Sequence, residues 1–553
     1  MGVLTRKFIP EQDSELFDPE TGNCSIEYYN ACKDPYRATS SNKVLAEFPW
    51  YNNRVSEAAS LLYDQIEDNI QKVLSDYKIP GAASIYRYAA RTTPEDSKDI
   101  IVLRPHNDSN ILSWRKVASQ IYDEIVKPAA TSAQIEVGVE IRNDKKMYAE
   151  LSHFIEDEAV IRSIARIQPF VLGAVLEHCH GKWTSIAYHN RSHFDYGSEM
   201  KVTALIFIRS GAIHAWAELE EKIVGTIQSA GFPADIDISV EVLPGQLALR
   251  TQSFYANARS YYHQLPTVPT NGSSIAPSNC TDAAGTFGPV VNFRAAGEEE
   301  AKKYVLTCYN VIASGDPAGK EINDSRGIGI NGREVGARID VDYLAKYDSA
   351  ALMRQQTRLI KSCDSKHAAK LIKSLDEIAT HGSLGQVKFA SGYRVTPTNY
   401  RMDWALIELN PALPVKNHLP TDRELQAECC HGSPEYISAE GATVTGTSTS
   451  LRSKWYGKVG RTSQGSGGER GPIKRAIAWD DGSISHEYEF KCLDSYKPFA
   501  QLGDAGSLVF NLEKEWAGLL IAADRSSGIG YVTPVYELLR DIEEVTGGTN
   551  TLV

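Results

Sequence analysis

The chain has 553 residues, 42 % of them hydrophobic and 23 % charged, proportions that exclude an intrinsically disordered protein and, at this length, a single hydrophobic core. Its 58 basic against 70 acidic residues leave a net charge of -12, which favours solubility and repels polyanions, so nucleic acid is not an expected partner. Nine cysteines, with Cys429 and Cys430 adjacent, form no evenly spaced disulfide framework, and the expected compartment is reducing, cytoplasmic or otherwise intracellular.

Residues 1–52 read as a polar N-terminal extension. They begin MGVLTRKFIPEQDSELF, without the apolar centre of a secretory signal and with Arg6 where a myristoylation signal has Ser or Thr. No uninterrupted apolar run approaches the roughly 20 residues of a membrane span, so no membrane partner is expected.

An α+β region is expected over 53–264. Val55, Ala58, Ala59, Leu62, Ile66, Ile70, Val73, Leu74 and Tyr77 recur at three- and four-residue steps, the pattern of an amphipathic helix closed by Pro80. A strand-helix-strand unit follows at about 99–142. Its helix carries Trp114, Val117, Ile121 and Ile125 on one stripe, and its last strand alternates Ile135, Val137, Val139 and Ile141. The same plan returns at about 201–243, where Trp216 opens the helix and Ile236, Ile238, Val240 and Val242 alternate. This internal repeat predicts two copies paired in one α+β sandwich, with helices between them from residues 147–179. The repeated positions are apolar and aromatic, which points to packing and not to catalysis.

Between the copies lie His178, Cys179, His180, His189 and His193. Only His189 and His193 have the H-x(3-5)-H spacing of a structural zinc site, and no C-x(2-4)-C pair accompanies them. The expectation is a histidine-rich loop and strand edge with no metal. No cofactor is expected elsewhere, since GDPAGKE lacks the spacer and the Ser or Thr of a phosphate-binding loop.

Residues 265–282 are rich in Pro, Ser, Thr, Asn and Gly and read as a linker. Beyond it, 283–545 shows short strands separated by glycine and polar turns, the pattern of an all-β domain with a helical insertion at 340–380.

Within this half, KKYVLTCYNVIAS, YRMDWALIELN, GKVGRTSQGSGG, QLGDAGSLVF and WAGLLIAADRSSGIGYVTPVYELLRDI occur in that order. Taken together they resemble the trypsin/chymotrypsin-like serine protease family, and most closely the disulfide-poor trypsin-like domains of fungal proteins. The resemblance implies a double β-barrel over 283–545 with a degenerate triad. It places Asn310 at the histidine position, Asp403 at the aspartate position and Ala505 at the serine position. It also implies an oxyanion hole from the backbone N–H groups of Gly503 and Ala505, a turn braced by Asp504, and a specificity pocket at Phe499.

Acyl transfer on such a scaffold needs a hydroxyl or thiol to attack, an imidazole to move the proton and a carboxylate to orient the imidazole. Ala505 has no attacking atom, and an amide such as Asn310 has no usable pKa near neutrality. Ser507 and His381 read as turn residues and Cys308 as a buried small apolar residue, so none is expected to substitute. The leading expectation is a catalytically inactive homologue that acts in binding or regulation, with a peptide or protein ligand in the old substrate cleft. Two alternatives stay open. One is a serine endopeptidase whose nucleophile and base have been replaced by engineering. The other is a functional N-terminal interaction module for which the barrel is scaffold.

Overall fold

The computed structural model describes residues 8–10, 15–40, 44–46, 50–90, 96–148, 151–192, 200–231, 237–245, 247–248, 265–361, 365–421, 441–493, 498–524 and 527–553. They fall into two units, Met1–Gln246 and Leu247–Val553.

The first unit is built from β1 (Arg37–Thr39), β2 (Trp50–Asn53), α1 (Glu57–Asp76), β3 (Gly81–Ala90), β4 (Lys98–Pro105), α2 (Trp114–Ile121), β5 (Val137–Arg142), α3 (Glu158–His178), β6 (Trp183–Ser192), β7 (Lys201–Ile208), α4 (Trp216–Ser229) and β8 (Ile238–Pro244). The predicted first helix forms as α1. Ser56 caps it by accepting from the Ala59 N–H, and Ala59, Leu62, Ile66, Ile70 and Leu74 are its buried stripe. One sheet has the order β1-β5-β4-β3-β2, in which β4 and β5 are parallel and the other pairs antiparallel. β8-β7-β6 repeats the same three-strand arrangement, parallel then antiparallel.

The duplication is therefore larger than strand-helix-strand. It is α1-β3-β4-α2-β5 followed by α3-β6-β7-α4-β8, with Trp114 and Trp216 both 0 % exposed at the start of the second helix of each copy. The repeat extends to charge. Glu140 and Glu241, one residue after Val139 and Val240, are both buried, and each is paired with arginine: Arg37 and Arg142 at 3.0 and 3.1 Å, and Arg191 at 3.0 Å. α3 is the one described helix long and apolar enough to span a membrane by length and composition alone. Arg162 and Arg166 interrupt it, and Ile164, Ile167, Val171 and Val175 bury one stripe of it inside the unit. Ile236 and His193, like Cys429 and Cys430, lie outside the described residues.

The second unit opens with β9 (Leu247–Ala248) and then forms two β-layers. An open eight-stranded half-barrel consists of β10 (Ser274–Pro277), β11 (Gly285–Thr286), β12 (Val290–Arg294), β13 (Lys302–Thr307), β14 (Asp340–Tyr343), β15 (Gly385–Ala390), β16 (Ala405–Leu409) and a C-terminal strand, Thr549–Leu552, which pairs with β12. A six-stranded barrel consists of β17 (Trp455–Gly460), β18 (Gln464–Ala478), β19 (Ile484–Cys492), β20 (Leu508–Asn511), β21 (Glu515–Asp524) and β22 (Gly530–Pro534). Its order, β18-β17-β20-β21-β22-β19, closes through a β18–β19 ladder, and every neighbouring pair is antiparallel. Closure leaves the barrel without a free edge along most of its girth.

Three boundaries are corrected. The expected linker at 265–282 is no linker, because β10 lies inside it, Ser274 and Ile275 are 0 % exposed, and the chain already belongs to the second unit from residue 247. Its glycine has a packing cause: a Cβ at Gly272, where φ is +91°, would lie 2.3 Å from Val459 Cγ1. The insertion at 340–380 begins with β14, and among its described residues Lys346–Lys361 and Ser365–Thr380 are helical. The unit also continues past 545 to the strand at Thr549–Leu552.

Candidate functional site

Asn310 sits in a one-turn helix, Tyr309–Ile312, entered directly from β13. Its backbone N–H donates to Asp403 Oδ1 and its side-chain Nδ2 to Asp403 Oδ2, both at 2.9 Å. Asp403 lies between two anchored neighbours. The Arg401 guanidinium stacks 4.4 Å from the Trp479 ring, and the buried Trp404 indole N–H donates to Asp541 at 2.7 Å. Burial pushes the Asp403 carboxyl up to about 6, opposed by the nearby Arg401 charge and by the N–H groups of Asn310 and Tyr309.

The turn at 501–507 is held from several directions. Gly503 and Gly506 both have φ of +94°, and a Cβ would come within 2.6 Å of Thr462 Oγ1 at the first and 2.2 Å of Thr307 Oγ1 at the second. Between them Asp504 is 0 % exposed and accepts from the N–H groups of Thr462, Ser463 and Gln501 at 2.8, 3.0 and 2.9 Å. Its remaining partner is the buried Lys458 ammonium at 3.1 Å. Burial lowers the Lys458 pKa, and the Asp504 charge opposes that shift. Thr286 fastens the other side, its hydroxyl donating to the Gly503 carbonyl and its N–H to the Ala505 carbonyl. Among the described residues, the N–H groups of Gly503 and Ala505 have no hydrogen-bond partner, and Ala505 is partly exposed.

β21 ties these parts together. Successive carbonyls of that strand, Leu520 and Ile521, accept from the Gly506 N–H at 2.9 Å and from Asn310 Nδ2 at 3.5 Å. Asn310, Asp403 and the Gly503–Gly506 turn thus share one strand as their common support. The arrangement has donors for an oxygen, from Gly503 and Ala505, while the Ala505 side chain carries no attacking atom and the Asn310 amide no titratable base.

No protein-family model matches the chain. No curated protein matches it either. Among solved structures it is similar to Thermobifida fusca Protease A, at 13 % identity over 51 % of this chain and 98 % of that one, with a TM-score of 0.28. Nocardiopsis Protease is 12 % identical, covering 51 % of this chain and 97 % of its own, and Cellulomonas bogoriensis chymotrypsin is 11 % identical, covering 51 % and 98 %; both have TM-scores of 0.28. Half of the chain bears a distant likeness to chymotrypsin-like serine proteases.

Phe499 is a correction. It is 0 % exposed and packs in the closed barrel's own core with Phe490, Val509, Leu520 and Val532, so its ring does not line an open pocket. Ser507 is buried and its hydroxyl donates to the Asp504 carbonyl. His381 follows Ser365–Thr380, and its carbonyl accepts from Asn410 Nδ2 at 3.4 Å. Cys308 is fully buried with its thiol against the Leu520 carbonyl at 3.2 Å, and burial raises its pKa, so it stays protonated. In the first unit His180 is exposed at a turn while Cys179 and His189 are buried, and among the described residues no three His, Cys, Asp or Glu gather as metal ligands.

The sequence reading missed Lys458. A signal was there: in WYGKVG the two-residue period puts Lys458 on the same strand face as Tyr456, so the ammonium shares the face of a core aromatic. Both residues are 0 % exposed.

Proposed function

We propose that the second unit is a catalytically silent relative of serine endopeptidases that captures an extended peptide or protein segment, in an intracellular setting. The observation that carries this reading is the two-point grip of Asp403 on Asn310, beside a turn whose central residue is Ala505. An asparagine held in that way cannot take a proton from a nucleophile, and a methyl group cannot attack a carbonyl. The N–H groups of Gly503 and Ala505 remain as donors for a peptide carbonyl or a C-terminal carboxylate.

The test is a titration of the chain, labelled with 15N at glycine and alanine, by a short peptide with a free C-terminal carboxylate at millimolar concentration. The expected result is a shift of the Gly503 and Ala505 amide signals that saturates. Signals that stay in place at saturating peptide would overturn the reading.

A second reading, an endopeptidase scaffold from which the nucleophile and base were replaced, has one observation in its favour. Asp403 is still buried with both carboxylate oxygens aimed at residue 310, an arrangement that suits an imidazole as well as an amide. The encoding genomic DNA at codons 310 and 505 separates these readings, since histidine and serine codons there would favour the second.

A further inference from the structure

The strand that supports the site carries a second feature. Each residue of β21 has two sides. On one, β22 pairs through Leu519, Leu520, Ala522 and Ala523. On the other, β20 pairs as far as Leu519, and Ser507 continues that side by accepting from the Leu520 N–H at 3.0 Å. Past that point no barrel strand takes over. Ala523 and Asp524 are paired instead by β9, antiparallel, with Ala248 opposite Ala523 and Leu247 opposite Asp524. Because Ala523 also pairs with Gly530 of β22, β9 occupies the side of β21 on which the Gly503–Gly506 turn lies. β9 runs in the direction from Asp524 toward Ile521, the residue whose carbonyl accepts from Asn310.

An extended peptide that added to this sheet would use the same main-chain donors and acceptors, since strand addition places the new backbone along an edge's free N–H and C=O groups. The β9 ladder is only two residue pairs long, so a longer extended peptide offers more pairing than the chain's own segment does. We infer that Leu247–Ala248 is an internal occupant of the peptide-binding edge of β21 and must leave before a peptide can bind beside the Gly503–Gly506 turn. This inference rests on the peptide-capture reading and adds its regulation: the chain competes with its own ligand.

The experiment uses the full chain, unmodified and as the double variant Leu247→Pro with Ala248→Pro, which removes both backbone donors of β9. The probe is a fluorescein-labelled peptide of sequence PGQLALR, matching residues 244–250. Removing a competitor that is mostly bound raises apparent affinity by the inverse of the free fraction, so the variant should bind the probe at least about tenfold more tightly. Amide exchange at Ala523 should be faster in the free variant and slow again when the probe is bound, while Asp524, whose N–H donates to the Ile529 carbonyl at 2.8 Å, serves as the unchanged control. Equal affinity of the two chains would overturn the inference and leave peptide capture standing. No binding by a variant whose Ala523 amide exchanges freely would overturn both. Should the variant fail to fold, the unmodified chain decides the matter alone: saturating probe must speed exchange at Leu247 and Ala248, and unchanged exchange with probe bound contradicts the inference.

Discussion

Asn310 and Asp403 meet through two hydrogen bonds of equal length, backbone N–H to Oδ1 and side-chain amide to Oδ2, each 2.9 Å. Both carboxylate oxygens are used on one residue, in a site from which water is largely excluded. The pair is thus a rigid polar contact in the wall of the half-barrel, and its charge state follows from burial more than from its partner.

That burial gives a pH dependence. The Asp403 pKa is raised in the folded state, so the folded chain holds this proton more tightly than the unfolded chain does. Its contribution to stability is fully present below the ordinary carboxyl range near 4 and is lost as pH rises through about 6. Compared with Asp403→Asn, which cannot ionise, the chain should lose on the order of 3 kcal/mol of relative unfolding free energy between pH 4 and pH 8. Denaturant titrations of the two proteins across that range check it, and a difference that does not change with pH would contradict it.

Much of the site was legible because its parts are short and locally determined. The glycines flanking Asp504 mark a turn that only glycine can make, and an apolar strand leading into Asn310 or out of Asp403 shows in eleven to thirteen residues of sequence. Burial was less legible. Spacing along the chain could not say that Phe490 and Val532 close over Phe499. The segment at 265–282 was misread because Pro, Ser and Gly accompany short turn-bounded strands as well as linkers, and Ser274 finds a buried partner in Asp348, far away in sequence. In the first unit, the pairing of Glu140 and Glu241 is not visible in local spacing, since Arg37 and Arg191 reach them from other strands.

The buried Lys458–Asp504 pair should behave as a unit. Lys458→Met leaves the Asp504 carboxylate without its counter-charge at 0 % exposure, which costs roughly 3–5 kcal/mol, whereas the double change with Asp504→Asn should recover part of that loss. A double-mutant cycle by chemical denaturation reads the coupling. Strictly additive effects would mean that the ammonium and carboxylate do not interact.

Where the chain is cut matters. With β10 buried in the half-barrel, cleavage at a protease site inserted after the exposed Asp282, which parts β10 from the strands that follow it, should abolish the cooperative melting of the second unit instead of releasing two folded pieces. Calorimetry before and after cleavage checks this. An unchanged second-unit transition would show that β10 is dispensable.

Restoring chemistry needs both residues. Asn310→His or Ala505→Ser alone should stay at background, because hydroxyl and base act together and loss of either costs on the order of 10⁶ in turnover. The double revertant should show measurable hydrolysis of activated esters, since Asp403, the Gly503–Gly506 turn and β21 already hold the required positions. A folded but inert double revertant would mean that the imbalance lies in more than two side chains.

The most direct measurement is covalent labelling of the unmodified chain by a fluorophosphonate probe, quantified by intact mass and followed by peptide mapping. With Ala505 at the turn and Asn310 locked to Asp403, the mass should stay unlabelled under conditions that label an active serine hydrolase to completion. Stoichiometric labelling at any serine would contradict a silent site and make this chain an enzyme.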